Sequence, residues 1–402
     1  MSDLEIHSVE NSKASFLPDA QYRTETRKLD YIDALRGIAA LSIVIYHIYG
    51  TIGSVTNGSS YPIQIVPERF IDLTLAGIPL FFIISAFTLY LSLDNKTGEK
   101  RKILKFYIRR FFRIAPLFYL LLILVVLDDV IIQKRPPSWL EILANFTFTF
   151  NLIPQYSRSL VSYGWTVGVE MLFYLVLPLI FIKVNNIQRS ILLFIGIYWL
   201  SKGGRLLIGT IIGENVMMST NYNFYNFFHW AYIFPVGVIC YLIYKLYLPK
   251  IRSEYRTPVA LGMLSLSLII LFVFINNLSL NLALSDLYEP LGGLTYLQTM
   301  SSIAFVLLIL SLSLHPNRLI VNRFTRFYGT ISYSLYLVHP FLVEPLKPVY
   351  GYIYDHTIYS TDLSLFLCIL LTLLIETPVC LLTYYLIETK GIRWGKKVLA
   401  KL

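Results

Sequence analysis

The stretch Ala34-Leu35-Arg36-Gly37-Ile38-Ala39-Ala40-Leu41-Ser42-Ile43-Val44-Ile45-Tyr46-His47-Ile48-Tyr49-Gly50-Thr51-Ile52-Gly53 decides how this chain must fold. Wound as a helix at 1.5 Å per residue, it reaches across the roughly 30 Å hydrocarbon core of a bilayer. Nine further apolar runs have the same character: Phe70–Leu93, Ile114–Ile132, Trp165–Val184, Ser190–Ile212, Phe224–Leu248, Val259–Asn276, Thr295–Leu314, Gly329–Tyr350 and Leu363–Ile387. The expected fold is therefore all-α and polytopic, with about ten transmembrane helices. Trp139–Leu152 is apolar but broken by Asn145 and Asn151, and reads as a re-entrant or interfacial helix.

Composition agrees with this and excludes a soluble globular protein. Of the 402 residues 56% are hydrophobic and only 14% charged, against about 25% charged in soluble domains. The chain has 34 Lys and Arg against 24 Asp and Glu. In a soluble protein that surplus suggests nucleic acid; here it points to basic loops facing the cytoplasm, and no nucleic-acid partner is expected. With ten spans and both termini cytoplasmic, only seven of the 34 basic residues fall on the far side: Arg69, Lys134, Arg135, Arg158, Lys202, Arg205 and Lys347. An odd number of spans would scramble that alternation.

Residues 1–30 are charged throughout and read as a flexible polar cytoplasmic tail without a cleavable signal. Residues 31–390 form the membrane domain and residues 391–402 a basic cytoplasmic C-terminus. Cys240, Cys368 and Cys380 all lie in apolar runs and imply neither a disulfide framework nor a metal site. No phosphate-binding Gly-rich loop, Gly-x-Ser-x-Gly elbow or His-Glu-x-x-His pair occurs.

Ionisable groups within a span are costly and therefore informative. Arg36 and His47 are eleven residues apart, which leaves them within about 20° of one helix face and about 16 Å apart along the axis. An extended anionic molecule held at Arg36 would reach His47 with its far end; an arginine snorkelling to head groups and a histidine bonded to a neighbouring helix is the equal alternative. Between the second and third spans, Lys102, Lys105, Arg109 and Arg113 are spaced by three and four and make a basic stripe on an amphipathic interfacial helix. Such a stripe binds membrane lipid head groups or clamps phosphates, for which paired arginines are suited. Glu170, just behind Trp165, is expected in the outer half of its span, where it could orient His47. Ser332, Tyr336 and His339 share a face of the ninth span, with Tyr333 beside them, as channel lining or interhelical hydrogen bonds. Glu344, Glu376 and His229 read as structural.

Five segments, taken together and in order, resemble the acyltransferase family 3 integral membrane acyltransferases, which include O-acetyltransferases of bacterial surface polysaccharides. They are Leu35-Arg36-Gly37-Ile38-Ala39 with His47; Gly77-Ile78-Pro79-Leu80-Phe81-Phe82-Ile83-Ile84-Ser85; Arg109-Arg110-Phe111-Phe112-Arg113-Ile114-Ala115-Pro116; Trp165-Thr166-Val167-Gly168-Val169-Glu170 with Phe173-Tyr174; and Ile331-Ser332-Tyr333-Ser334-Leu335-Tyr336-Leu337-Val338-His339. Two positions depart from the pattern: Ala86 stands where Gly usually follows the Ser, and Thr166 where Ser often follows the Trp.

The resemblance implies acetyl-CoA, or another acyl-CoA, as donor from the cytoplasm, no metal, and a carbohydrate acceptor on the far side or within the membrane. It also implies a multi-pass protein of the bacterial inner membrane that works beside glycan-assembly proteins. Residue by residue, His47 becomes the catalytic histidine and Arg36 its motif partner. Arg110 and Arg113 become binders of CoA phosphates, Glu170 lies near the acceptor end, and Ser332, Tyr333 and Tyr336 become candidate oxyanion donors. No stretch remains for the esterase-like domain that some members append, so the stand-alone type is expected. A flippase for a lipid-linked sugar, and an acyltransferase acting on a lipid or small molecule, are the alternatives.

Overall fold

The structure, a computed structural model, describes residues 20–55, 76–213, 222–276, 294–357 and 361–402. These residues are helices and short connections, with no strand among them. In chain order the helices are α1 (Ala20–Val55), α2 (Gly77–Asp94), α3 (Lys102–Ile131), the short α4 (Trp139–Phe146), α5 (Trp165–Lys183) and α6 (Ile187–Ile212). Then come two single turns, α7 (Tyr222–Tyr225) and α8 (Phe227–Trp230), followed by α9 (Ile233–Leu246), α10 (Ser253–Asn276) and α11 (Leu294–Leu314). The chain closes with α12 (Arg323–Thr330), α13 (Ser332–Val343), α14 (Lys347–His356), α15 (Thr361–Thr383), a π-turn at Tyr384–Glu388 and α16 (Thr389–Leu399). Among the described residues eight helical stretches are long and apolar enough to cross a membrane. The protein is an all-α polytopic membrane protein.

Two of the ten expected runs differ in kind. The ninth, Gly329–Tyr350, is not one span: α12, α13 and α14 replace it, with breaks at Ile331 and at Glu344–Leu346. Pro340 and Pro345 remove backbone donors there, and an unbroken helix would carry Glu344 and Lys347 into hydrocarbon. The third run is longer than expected. The basic stripe and the apolar span after it are one continuous 30-residue helix, α3, which runs through Pro116. Residues 56–75, including the expected start of the second run at Phe70, lie outside the described residues. The broken apolar stretch Trp139–Leu152 is the short helix α4 and a 3-10 turn at Phe150–Leu152, with Ser138 capping α4 through Glu141 N.

Lipid supplies no hydrophobic drive between helices, so close packing must hold them together. Gly37 and Gly329 are where two helix backbones come closest. A Cβ on Gly37 would sit 2.1 Å from the Thr325 carbonyl oxygen, and one on Gly329 only 1.8 Å from that of Asp33. The α1 and α12 backbones thus touch directly beside Arg36. Ala86 packs against Gly237 of α9, whose lack of a side chain leaves room for the methyl group: a Cβ there would lie 2.7 Å from that of Ala86. Gly329→Ala is expected to cost about 1–3 kcal/mol through overpacking, read as a lower midpoint of thermal aggregation in detergent. Gly262→Ala has nothing within 4 Å of the new methyl and should leave the midpoint unchanged; equal midpoints for the two variants would contradict the packing argument.

Ion pairs join the helix ends that the charge count assigns to the cytoplasm. Asp30 pairs with Arg326, Asp33 with Arg36, Asp94 with Lys245 and Glu99 with Arg109. At the same end α16 lies along α3, where Gly391 and Gly395 approach Phe112 and Pro116. Pro116 has no N–H, so the Phe112 carbonyl that it leaves without a helical partner is where Gly391 comes closest.

Candidate active site

The basic stripe of α3 divides into two halves. At 100° per residue Lys105, Arg109, Arg113 and Arg110 follow one another round the helix in steps of about 40°, 40° and 60°, so that Lys105 and Arg110 mark its two edges. Arg109 makes a forked pair of hydrogen bonds to Glu99, 3.0 and 2.9 Å, and Lys105 sits 3.9 Å from the same carboxylate. Those bonds hold the Glu99 carboxyl below its usual range and commit two of the cations. Lys102 lies 4.3 Å above the Phe181 ring. The remaining edge faces inward.

There Arg110 and Arg113 meet Arg36 of α1, Ser85 and Thr88 of α2, Thr166, Glu170 and Tyr174 of α5, and Ser332, Tyr333 and Tyr336 of α13 around one cavity. About 90 Å³ of it admits water-sized groups, which suits a thin chain rather than a nucleotide. Arg36 donates to Thr88 at 3.2 Å and pairs with Asp33 at 3.6 Å. Arg110 keeps a buried Nε without a partner, and Arg113 makes no hydrogen bond or ion pair among the described residues. Three guanidiniums thus face one carboxylate, Glu170, which lies beside the Tyr174 hydroxyl that also contacts Ser85 at 3.1 Å. The cavity is built to receive an anion.

Ser332, Tyr333 and Tyr336 all line this cavity, and their hydroxyls donate to the carbonyls of Gly329 (2.9 Å), Ile114 (2.8 Å) and Tyr163 (3.1 Å). The Thr166 hydroxyl donates to Tyr336 Oη at 2.8 Å, a bond that a serine in its place could also make.

His47 is elsewhere. It borders a second, larger hollow of about 510 Å³, shared with Tyr46, Tyr49, Gly50, Thr51, Ser54, Tyr163, Glu344 and Lys347. Its ring lies 3.7 Å from that of Tyr163 and 5.2 Å from that of His339, centroid to centroid. His339 is fully buried; its Nδ1 faces the Leu335 carbonyl at 3.2 Å, which makes it the donor and leaves Nε2 a buried acceptor with no partner.

The expected meeting of Glu170 with His47 does not occur. Trp165 was expected at the outer interface, but it is 2% exposed and packs on Phe224, Tyr225 and Trp230. Because α5 starts inside the protein, Glu170 falls among the arginines. Arg36 and His47 are likewise divided between the two spaces.

Sequence reasoning passed over Tyr163, which forms the partition. Its backbone is left-handed, φ 57°, unusual for a bulky side chain. Its carbonyl accepts from Tyr336, whose ring lines the inner cavity, while its own ring covers His47. The Tyr163-Gly164 pair just before a helix was the available signal. Among the described residues no group of three His, Cys, Asp or Glu could hold a metal.

The chain is 27% identical over 328 residues to the "putative acetyltransferase ORF330" of Acidianus two-tailed virus, covering 80% of this chain and 84% of that one. It is 26% identical over 372 residues to a "putative O-acetyltransferase" of Staphylococcus aureus (strain COL), and 22% identical over 395 residues to the "putative peptidoglycan O-acetyltransferase YrhL" of Bacillus subtilis (strain 168). These alignments take in 83% and 88% of this chain but only 55% of the staphylococcal and Bacillus proteins, so the chain spans about half their length. No solved structure matches it. The family model described as an acyltransferase domain, of the acyltransferase 3 type, matches residues 29–384, and the chain belongs to that family of acyltransferases.

Proposed function

We propose that the protein moves an acyl group, acetyl in the simplest case, from cytoplasmic acyl-CoA to a hydroxyl of a surface glycan or its lipid-linked precursor, in a bacterial inner membrane. The observation that carries this reading is the narrow cavity at the basic end of the molecule, where Arg110 and Arg113 are unpaired and a thin anionic arm has room. CoA phosphates would rest on Arg36, Arg110 and Arg113 while the acylated arm enters between them. Glu170, beside Tyr174, would border the arm and limit how far negative charge penetrates.

His47 serves as the base. Its neutral imidazole takes the proton of the acceptor hydroxyl as that oxygen attacks the thioester carbonyl. The C–O bond forms, the C–S bond breaks, and the departing thiolate recovers the proton, so that CoA leaves as the free thiol. Such help is worth about 10²–10⁴ in rate. Tyr163 and His339 hold the ring from two sides.

The test is direct. Membranes containing the protein are incubated with labelled acetyl-CoA and a glycan acceptor, and label should appear covalently on the glycan. Movement of a lipid-linked sugar across the membrane with no label transferred would instead identify a flippase.

A further inference from the structure

The two spaces differ in chemistry as well as position. The inner cavity holds three guanidiniums and one carboxylate; the hollow at His47 holds one carboxylate and one ammonium, Glu344 and Lys347, 3.6 Å apart. A polyanion gains nothing from that balanced pair, whereas a neutral molecule with several hydroxyls can donate to the carboxylate and accept from the ammonium at once. The hollow's about 510 Å³ lies within the roughly 300–1,000 Å³ typical of small-molecule sites, and aromatic walls with a few polar groups are the usual lining. Here the aromatic part is Tyr46 and Tyr163, and Thr51 and Ser54 add hydroxyls.

The break in the ninth run acquires a reason from this. Glu344 caps α13 and Lys347 opens α14, and only because the helix stops there do they stand at the hollow's edge, with the Glu344 side chain 70% exposed.

We infer that the hollow around His47 is the acceptor's seat, shaped for an uncharged, hydroxyl-rich carbohydrate ring, and that Glu344 and Lys347 determine which ring is accepted. This rests on the acyl-transfer reading and adds the place and chemistry of the second substrate. A sugar seated between Tyr163 and the ion pair brings a hydroxyl to the imidazole, while the partition of Tyr163, Tyr336 and Thr166 keeps the donor's phosphates on the other side, so that only its acylated end needs to pass.

A pair of chemical footprints on the detergent-purified full chain tests this without turnover. Diethyl pyrocarbonate labels His47 and phenylglyoxal labels Arg110 and Arg113, each site being read by peptide mass spectrometry. Chitotetraose, an uncharged oligosaccharide, should slow His47 labelling at least fivefold and leave the arginines unchanged; CoA should slow labelling of the arginines. Glu344→Gln and Lys347→Met should each raise the chitotetraose concentration needed for protection by about tenfold, the loss of one charge-assisted hydrogen bond, with CoA protection intact. Unprotected His47 in the presence of the sugar, arginines that the sugar protects as well, or variants protected like the wild type would each overturn the assignment. Because no transfer is measured, these outcomes are separate from failure of the labelled-acetyl assay, which would remove the acyl-transfer reading itself.

Discussion

An H47A protein is expected to lose acyl transfer by about 10²–10⁴-fold while folding normally and still binding acyl-CoA. The separation of the two spaces makes that split possible. His47 takes no part in the cavity where the arginines converge, and the tight contacts that fix α1 are at Gly37 and at Gly77, whose Cβ would meet the Ala39 carbonyl at 2.8 Å. Loss of the imidazole therefore leaves the helix packing of α1 in place and enlarges a hollow that is already open. His47→Gln supplies a second form of the test, since it fills part of the space with a polar group that takes no proton at neutral pH. Label transfer is measured beside gel filtration and CoA binding. A folded H47A protein that still transfers at the wild-type rate would exclude the histidine from the chemistry.

The second large effect is expected at Arg110 and Arg113, and it should fall on binding. Neither guanidinium has a protein partner to lose, so alanine at either position should cost the fold little. Each charge-assisted hydrogen bond to a ligand is worth about 1.5–3 kcal/mol, so each variant should weaken acyl-CoA binding by about 10- to 150-fold. Acetyl-pantetheine, which carries the same thioester without the nucleotide phosphates, should lose much less. Equal losses with both donors would mean that the arginines support structure or bind lipid. Lys105→Ala is a useful comparison: its ammonium is already engaged with Glu99, and little change in donor binding is expected.

Helix content and the membrane class were legible in the sequence because they depend on long apolar runs, and those are local. The inner cavity was legible in part. Arg36, Arg110, Arg113 and Glu170 are all there, because intramembrane charges stand out against an apolar background. Their relation to His47 was not legible. The position of Glu170 depended on how deep Trp165 lies, and burial of Trp165 against α7 and α8 is a long-range contact that no spacing reveals. The break at Glu344–Leu346 had local signs, Pro345 and the charges of Glu344 and Lys347, which the length of the surrounding apolar run outweighed; the break at Ile331 lies within apolar sequence and had none as clear. Tyr163 was missed for a related reason: a left-handed backbone matters only once its ring and its carbonyl are seen to face different spaces.

The seam between α3 and α16 concerns the order in which the molecule is made. Phe112 and Pro116 emerge from the ribosome long before Gly391 and Gly395, which fit against them from far along the chain. Helix insertion proceeds from the N-terminal end, so α3 enters the bilayer carrying its arginines with the side around Phe112 and Pro116 uncovered. The face that bears Arg113 reaches its final setting only when α16 docks. Ligand binding at that face should therefore appear abruptly in nascent-chain experiments, at the length that exposes residue 395, rather than growing with each added span.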